Sequence, residues 1–269
     1  MKLKGKVVIV TGATSGIGEA CALVFGREGS KVVITGRSQV KLDNTLDILR
    51  KEGVDAYGVL ADAGSETDNK KIAEEAIKHF GRIDILVNNA SAINLTRTDA
   101  TPAKRFDLMF DVNVRGTFLT SQAALPHLRK SATDGRNPHI LNLSPPLSMK
   151  PVWFKNHVAY TMAKYGMSMC VLGMAEEFKR DGIAVNALWP RTVIDTAALQ
   201  MIPGIDALAG RKPEILADAA YVIFNRKAAE CTGNFFVDDE VLASEGITDL
   251  EKYSVTPGTK DFLLDFFLD

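Results

Sequence analysis

A tyrosine and a lysine four residues apart have the clearest capacity for chemistry in this sequence. Tyr160 and Lys164 stand at i and i+4 in residues 158–180, whose apolar spacing predicts a helix, so both side chains share one helix face. An ammonium close to a phenol lowers the pKa of the phenol, and the phenolate can then exchange a proton with a substrate oxygen. Taken alone, a Tyr-x-x-x-Lys spacing also arises by chance, so its place in the fold must decide between the two interpretations.

A glycine-rich turn near the N-terminus predicts a nucleotide site. The β-branched run Val7–Val10 indicates a buried strand, and Ile17 begins a run with helical spacing. Gly12, Gly16 and Gly18 lie between or beside them, where a side chain would restrict the backbone angles or hold a pyrophosphate away from the helix amides. A tight turn in a core is the alternative. The order of strand, glycines and helix favours dinucleotide binding.

Two residues at predicted strand ends bear on which dinucleotide binds. Arg37 follows the second strand about 20 residues past the glycine turn, where the dinucleotide fold meets the adenosine ribose. A carboxylate there would select NAD, whereas an arginine can pair with a 2′-phosphate, so we predict NADP with NAD as the alternative. Arg37 is otherwise a solvated loop residue. Asp62 either accepts a hydrogen bond from the adenine amino group or caps a turn.

Predicted strands and helices alternate along the chain. The strands are predicted at 7–10, 31–35, 54–60, 83–87, 139–144, 183–189 and 232–238. The helices after the first are predicted at 39–52, 66–80, 103–130, 158–180 and 213–226. This alternation predicts an α/β, Rossmann-type, doubly wound parallel sheet of about seven strands with helices on both faces. We expect residues 1–269 to form a single domain, with ligands at the carboxyl ends of the strands.

Three irregular stretches complete the chain. Residues 145–157 form a hydrophobic loop, which we interpret either as a lid or pocket lining or as a surface packed against a partner. Residues 191–210 have the pattern of a mobile substrate loop. Residues 240–269 are a C-terminal extension with an aromatic tail, expected to pack on its own chain or on another subunit. The side chains expected to form an apolar pocket are Trp153, Phe154, Met201 and Ile202.

Composition excludes several classes of protein. Of the 269 residues, 46% are hydrophobic, and the net charge of −1 provides no basic surface for nucleic acid. No apolar run approaches the ~20 residues of a membrane span. The three scattered cysteines argue against disulfides and a metal site. We therefore expect no nucleic acid, no metal and no membrane span. The expected location is cytoplasmic, or an organelle such as a peroxisome or mitochondrion in a eukaryote.

Several motifs in order resemble the short-chain dehydrogenase/reductase family over nearly the whole chain. They are TGATSGIG at 11–18, Asp62, NNA at 88–90, Asn113, Ser144, YTMAK at 160–164, Pro190 and TG at 232–233. The resemblance implies hydride transfer between a nicotinamide and a carbonyl or secondary alcohol, and a homodimer or homotetramer paired through two long helices. Some relatives carry an added sterol-carrier domain. Since this sequence ends at Asp269, only the dehydrogenase part is expected here.

The resemblance also assigns roles to residues. Tyr160 would be the general acid/base, and Lys164 would lower its pKa and hold the nicotinamide ribose. Ser144 would steady the substrate oxygen, and Asn113 would hold a water that links Lys164 to solvent. The residues implied to line the cofactor are Gly12, Thr14, Ser15, Ile17, Asn88, Ala90 and the backbone near Val193.

Two departures from the family pattern concern the site. Pro145 stands where a second serine is usual, which leaves Ser144 and Ser148 as candidates for the catalytic serine. We favour Ser144 because it ends a predicted strand. Ser91 replaces the glycine that usually follows the Asn-Asn-Ala motif. The sequence thus favours an oxidoreductase acting on an apolar substrate, for which lipids are one class. The alternative is a non-catalytic dinucleotide-binding sensor or scaffold subunit.

Overall fold

Seven parallel strands form one continuous sheet. The computed structural model describes residues 2–200, 202 and 206–268 of the 269. Within them the strands are β1 (Val7–Val10), β2 (Lys31–Gly36), β3 (Ala56–Leu60), β4 (Ile85–Asn88), β5 (His139–Asn142), β6 (Ala184–Trp189) and β7 (Phe235–Val237). Their order is β3-β2-β1-β4-β5-β6-β7, and each neighbouring pair is parallel. The predicted doubly wound sheet is confirmed.

Helices connect the strands and cover both faces of the sheet. They are α1 (Gly16–Arg27), α2 (Gln39–Lys51), α3 (Glu66–Phe80), α4 (Ala103–Met109), α5 (Gly116–Thr133), α6 (Val158–Glu177), α7 (Ala197–Gln200), α8 (Glu214–Phe224) and α9 (Asp238–Ser244). The single helix predicted over 103–130 is wrong in detail, because a π-helical turn, Phe110–Arg115, separates α4 from α5. A π turn shifts the register of later side chains, and apolar periodicity does not reveal it.

Burial on both sides explains why the central strands lack alternation. Every residue of β1, β4, β5 and β6 is buried, and most of these residues are apolar, with His139, Asn142 and Asn186 among the exceptions. One core lies between the sheet and α1, α2 and α8, and a second lies between the sheet and α3, α5 and α6. A third apolar cluster gathers at the carboxyl ends of β5 and β6, around Tyr160, Trp189 and Phe267.

The C-terminal end of the chain closes over this third cluster. We call residues 262–268 the C-terminal strap. The Val193 N–H donates to Leu263 O (2.9 Å), and Thr192 and Leu264 form an antiparallel bridge. Phe267 is 2% exposed, and its ring centroid lies 5.8 Å from that of Trp189. The aromatic tail therefore packs on its own chain, which is one of the two outcomes that the sequence left open.

Phe267 should hold the C-terminal strap in place. Replacing Phe267 with alanine removes its buried ring, and we expect strap opening to become easier by about 3 kcal/mol, roughly a hundredfold. Hydrogen exchange at the Val193 and Asp265 amides, which bond across the strap, measures this opening. Leu264→Ala is the matched control, because the Leu264 side chain is 62% exposed. Equal exchange rates in the two variants would contradict this role of Phe267.

Candidate functional site

Two connected cavities lie at the carboxyl edge of the sheet. The first, which we call the glycine cleft, has a volume of about 330 Å³ and lies beside the turn after β1. The second, the inner cavity, has a volume of about 430 Å³ and lies beyond β5 and β6. The residues that line both are Ile17, Asn89, Ser91, Thr196 and Ala198. β1 lies between β2 and β4, so β2 and β3 follow on one side of it and β4 to β7 on the other. In α/β sheets, ligands bind at the carboxyl ends of the strands where the strand order reverses in this way.

Two glycines of the turn, Gly12 and Gly18, leave no room for a side chain. Gly12 has φ +63°, and a Cβ built on it would lie 2.8 Å from the Ala90 Cα. A Cβ on Gly18 would lie 2.8 Å from the Gly12 carbonyl oxygen. Both positions therefore require glycine for close packing of the turn, the helix and the loop after β4.

The first turn of α1 is suited to an anion. Ser15, Gly16 and Ile17 line the glycine cleft, and α1 begins at Gly16. The Ser15 side chain makes no capping hydrogen bond, so the first amides of α1 are not satisfied by it. The positive end of the helix dipole and these amides favour a pyrophosphate. The residues present thus fit a dinucleotide.

Residues at the ends of β2 and β3 line the far side of the glycine cleft. Arg37 lines the cleft and is exposed. Thr14 also lines the cleft, next to Gly36. Asp62 also lines the cleft, but its Oδ1 accepts the Gly64 N–H (2.9 Å). The turn-capping role of Asp62 is therefore observed, and its predicted contact with adenine stays a prediction.

Tyr160 and Lys164 are both buried and line the inner cavity. Both lie on α6, whose spacing places them on one face, as the sequence predicts. The Lys164 Nζ donates to Leu143 O (2.7 Å) and lies 5.0 Å from the Trp189 ring centroid. Burial lowers the pKa of Lys164 from its ordinary value to about 7. The ammonium and the neutral amine of Lys164 are therefore both populated near neutral pH.

The pKa of Tyr160 corrects one expectation from the sequence. Burial of the phenol raises its pKa well above the ordinary value, and the Asp265 carboxylate adds to this rise. The lowering predicted from Lys164 is not the dominant effect in this structure. In a dry cavity the desolvation of a phenolate outweighs an ammonium that is itself partly deprotonated.

Asp265 is a site residue that the sequence analysis missed. It belongs to the C-terminal strap and lines the inner cavity together with Tyr160 and Lys164. Burial of its carboxyl group raises its pKa to about 7. A carboxylate inside the apolar run LLDFF at 263–267 is the one sequence signal that could have drawn attention to it.

Neither candidate serine lines the inner cavity. Ser144 is fully buried, and its Oγ has no hydrogen-bond partner among the residues that the structure describes. Ser148 bonds through its backbone to the Tyr165 hydroxyl, and its Oγ accepts the Lys150 N–H (3.4 Å). The side chain of Ser144 thus lies within the protein, and its role in steadying a substrate oxygen stays a prediction.

The side chains of Asn88 and Asn113 form hydrogen bonds with other parts of the protein. The Asn88 amide is buried and donates to Asn142 Oδ1 (2.8 Å) and Ser121 Oγ (3.1 Å). Asn89 lines the cleft whereas Asn88 does not, and the predicted place of Asn88 beside the cofactor stays a prediction. Both polar groups of the Asn113 side chain bond the backbone of Ala92 (2.7 and 2.9 Å). The water predicted between Asn113 and Lys164 stays a prediction.

Other predicted lining residues divide between the cavity and the core. Val193 lines the inner cavity, and its backbone N–H and C=O are bonded to Leu263 and Arg211. The predicted contact of the backbone near Val193 with the cofactor stays a prediction. Trp153 and Phe154 pack in the third cluster and line neither cavity. Ile202 lines the inner cavity. Met201 lies outside the described residues.

Known proteins are similar to this chain in sequence and in fold. Residues 6–203 match the family model described as short chain dehydrogenase. Hydroxysteroid dehydrogenase-like protein 2 of Danio rerio is 52% identical over 276 residues, an alignment that covers all of this chain and 65% of that protein. A crystal structure from Xanthomonas campestris is 47% identical, with both chains covered in full and a TM-score of 0.94. The chain thus spans just under two thirds of the Danio rerio protein.

More distant solved structures contain both kinds of nicotinamide cofactor. A metagenomic short-chain oxidoreductase in complex with NADP is 25% identical, with a TM-score of 0.74, over 88% of this chain and 98% of its own. The 3-ketoacyl-(acyl-carrier-protein) reductase of Brucella melitensis, complexed with NADH, is 30% identical, with a TM-score of 0.77, over 87% and 97%. Overall similarity therefore does not choose between the two cofactors.

Two searches of the described residues complete the description of the site. Over 2–200, 202 and 206–268, no three or more His, Cys, Asp or Glu side chains are grouped to hold a metal ion. Over the same ranges, no helix has the length and apolar character needed to cross a membrane.

Gly12→Ala tests whether the close packing of the glycine turn matters. The positive φ should cost about 1–2 kcal/mol of stability, and contact with Ala90 should displace the loop after β4 and weaken NADPH or NADH binding at least about tenfold. Titration of nucleotide fluorescence measures the binding. Gly53→Ala is the control, because Gly53 has φ +74° but open space around it. Unchanged nucleotide affinity in Gly12→Ala would contradict this role of the turn.

Proposed function

The chain belongs to the short-chain dehydrogenase family of oxidoreductases, and from this we propose that it uses NADP to interconvert a carbonyl and a secondary alcohol. One observation carries the proposal. Tyr160 and Lys164 line an apolar cavity that is continuous with the glycine cleft through shared lining residues. A dinucleotide seated at the glycine turn would therefore extend towards the only tyrosine among the described lining residues.

The cofactor would be held at three places. The first amides of α1 would bind the pyrophosphate, and Arg37 would pair with a 2′-phosphate on the adenosine ribose. Lys164 would hold the nicotinamide ribose hydroxyls. When bound, the cofactor supplies or accepts the hydride.

Tyr160 would move the proton that balances the hydride. Burial raises the pKa of its phenol, so the residue stays protonated at neutral pH and can donate to a substrate carbonyl oxygen during reduction. In the oxidation direction Tyr160 would act in its phenolate form, which the Lys164 ammonium would stabilise, and would accept the alcohol proton. The mostly apolar lining of the cavity lowers the local dielectric constant, which strengthens both electrostatic effects.

The lining of the inner cavity supports an apolar substrate. Most of its described lining is aliphatic or aromatic, including Ile93, Leu199, Ile202 and Trp189. A volume of about 430 Å³ is in the range of small-molecule sites. We propose a neutral carbonyl or alcohol attached to an apolar skeleton, for which lipids and steroids are two classes. The name of the Danio rerio relative is consistent with the second class.

An exposed apolar surface supports association of two or more copies. The side chains of Phe118, Met162, Met169 and Leu172, on α5 and α6, are each between 44% and 58% exposed. Apolar side chains grouped on long helices are typical of subunit interfaces. We propose that the protein forms a homodimer or homotetramer through α5 and α6.

Tyr160→Phe tests the proposed mechanism. Loss of the phenol hydroxyl should lower turnover of a carbonyl substrate by at least about a hundredfold, while NADPH binding changes little because the ring remains. A panel of fatty-acyl ketones, oxosteroids and small ketones, followed by NADPH absorbance, would first identify the substrate. Tyr165→Phe on the same helix is the control. Unaltered turnover in Tyr160→Phe would exclude Tyr160 as the acid.

Arg37→Ala tests the choice of cofactor. In the parent protein we expect NADPH to bind more tightly than NADH, because only NADPH offers a phosphate to the guanidinium. Arg37→Ala should weaken NADPH binding by about tenfold or more and leave NADH binding unchanged. Fluorescence titration of both nucleotides measures the difference. Equal affinities for both nucleotides in the parent would refute the assignment of NADP.

A further inference from the structure

Lys164 and Asp265 are the two charged side chains among the described residues that line the inner cavity. They come from distant parts of the chain, α6 and the C-terminal strap. The remaining polar lining side chains are neutral, namely Asn89, Ser91, Tyr160 and Thr196. An ammonium in such surroundings needs an opposite charge, because taking a lone charge out of water costs several kcal/mol.

Trp189 connects the two charged groups. The Lys164 Nζ lies 5.0 Å from the Trp189 ring centroid, and the Trp189 Nε1–H donates to Phe266 O (2.8 Å). The backbone next to Asp265 is thereby fixed against the ring that Lys164 contacts. Asp265 itself donates its N–H to Arg191 O (3.1 Å). The strap therefore places Asp265 in the lining of the cavity that Lys164 also lines.

The other contacts of Lys164 supply no full charge. Leu143 O accepts one hydrogen bond, Met167 Sδ lies at 3.5 Å, and Trp189 presents its ring. A carbonyl and an aromatic face stabilise an ammonium only in part, and burial therefore still lowers the lysine pKa. The Asp265 carboxylate opposes this lowering.

We propose that Asp265 is a positioning residue, the counter-charge that keeps Lys164 an ammonium in the inner cavity. This inference rests on the proposed function in one respect, because that function gives Lys164 its catalytic importance. The electrostatic effect of Asp265 on Lys164 does not depend on the reaction. The charge state of Lys164 depends on whether the strap is docked, because docking brings Asp265 to the cavity.

The pKa of Asp265 and the pKa of Lys164 depend on each other. Burial and the Asp238 carboxylate raise the Asp265 pKa, while Lys164 and the Phe266 N–H lower it. The Asp265 carboxylate in turn raises the pKa values of both Lys164 and Tyr160. Because each group shifts the pKa of the other, Asp265 and Lys164 titrate as a coupled pair.

Asp265 also has a local structural contact that an experiment must separate from its charge. Its Oδ1 accepts the Phe266 N–H (2.6 Å). An asparagine side chain keeps an oxygen that can accept this bond but carries no charge. Asp265→Asn therefore removes the counter-charge and retains the turn of the strap.

Lysine titration by NMR measures the effect directly, without substrate or cofactor. In protein labelled with ¹³C at lysine Cε, we expect one resonance to titrate near pH 7, and Lys164→Arg assigns it by its loss. Asp265→Asn should shift this midpoint to lower pH by about one pKa unit or more, because the attraction to the ammonium is lost. Asp261→Asn, an exposed carboxylate in the preceding residues, should leave the midpoint unchanged.

A reciprocal measurement keeps the proposal testable if Asp265→Asn does not fold. In protein labelled at aspartate Cγ, Lys164→Met should raise the Asp265 midpoint above that of the parent, because coupling between two sites is reciprocal. A midpoint of Lys164 unaffected by Asp265→Asn, or of Asp265 unaffected by Lys164→Met, would overturn the proposal. Absence of dehydrogenase activity in the parent would contradict the proposed function alone, since neither titration depends on turnover.

Discussion

Burial of the Lys164 ammonium is the constraint around which the active-site end of the molecule is built. A charge in an apolar cavity must find compensation, and Lys164 finds it in Leu143 after β5, in Trp189 at the end of β6 and in Asp265 of the C-terminal strap. Three elements that are remote in the sequence are thereby tied to one side chain. The strap packs over the cavity through Phe267, which also contacts Tyr160. Tyr160, Lys164 and the C-terminal strap thus form one structural unit.

The polar groups of the inner cavity differ from those expected from the family pattern. Pro145 occupies the position of the usual second serine, and the Ser144 hydroxyl is turned into the protein. The ionisable lining groups are Tyr160, Lys164 and Asp265, of which the last comes from the C-terminal strap. Proton chemistry in this cavity is therefore governed by the mutual charge of these three groups, in surroundings where water screens them weakly.

The fold was predictable because its signals are local. A buried parallel strand is a short apolar run, a surface helix repeats with a period of 3.6 residues, and the two alternate here without interruption. Strand and helix order then gives the sheet, and the sheet gives the edge at which ligands bind. The π turn at Phe110–Arg115 was not predictable, because no proline or glycine within these six residues marks an interruption of the helix. The buried hydrogen bonds of the Asn88 side chain were not predictable either, since they join it to residues that are remote in the sequence.

The sequence by itself determined the glycine turn, the positions of the seven strands along the chain and the shared helix face of Tyr160 and Lys164, since each depends on residues within one turn, one strand or one helix. Only the tertiary structure decided that Asp265 joins them and that Ser144 does not. Both outcomes depend on how irregular segments pack across the carboxyl edge of the sheet, where no periodicity relates one segment to another. The tertiary structure also decided the direction of the Tyr160 pKa shift, because desolvation of the phenol depends on every element that closes the cavity.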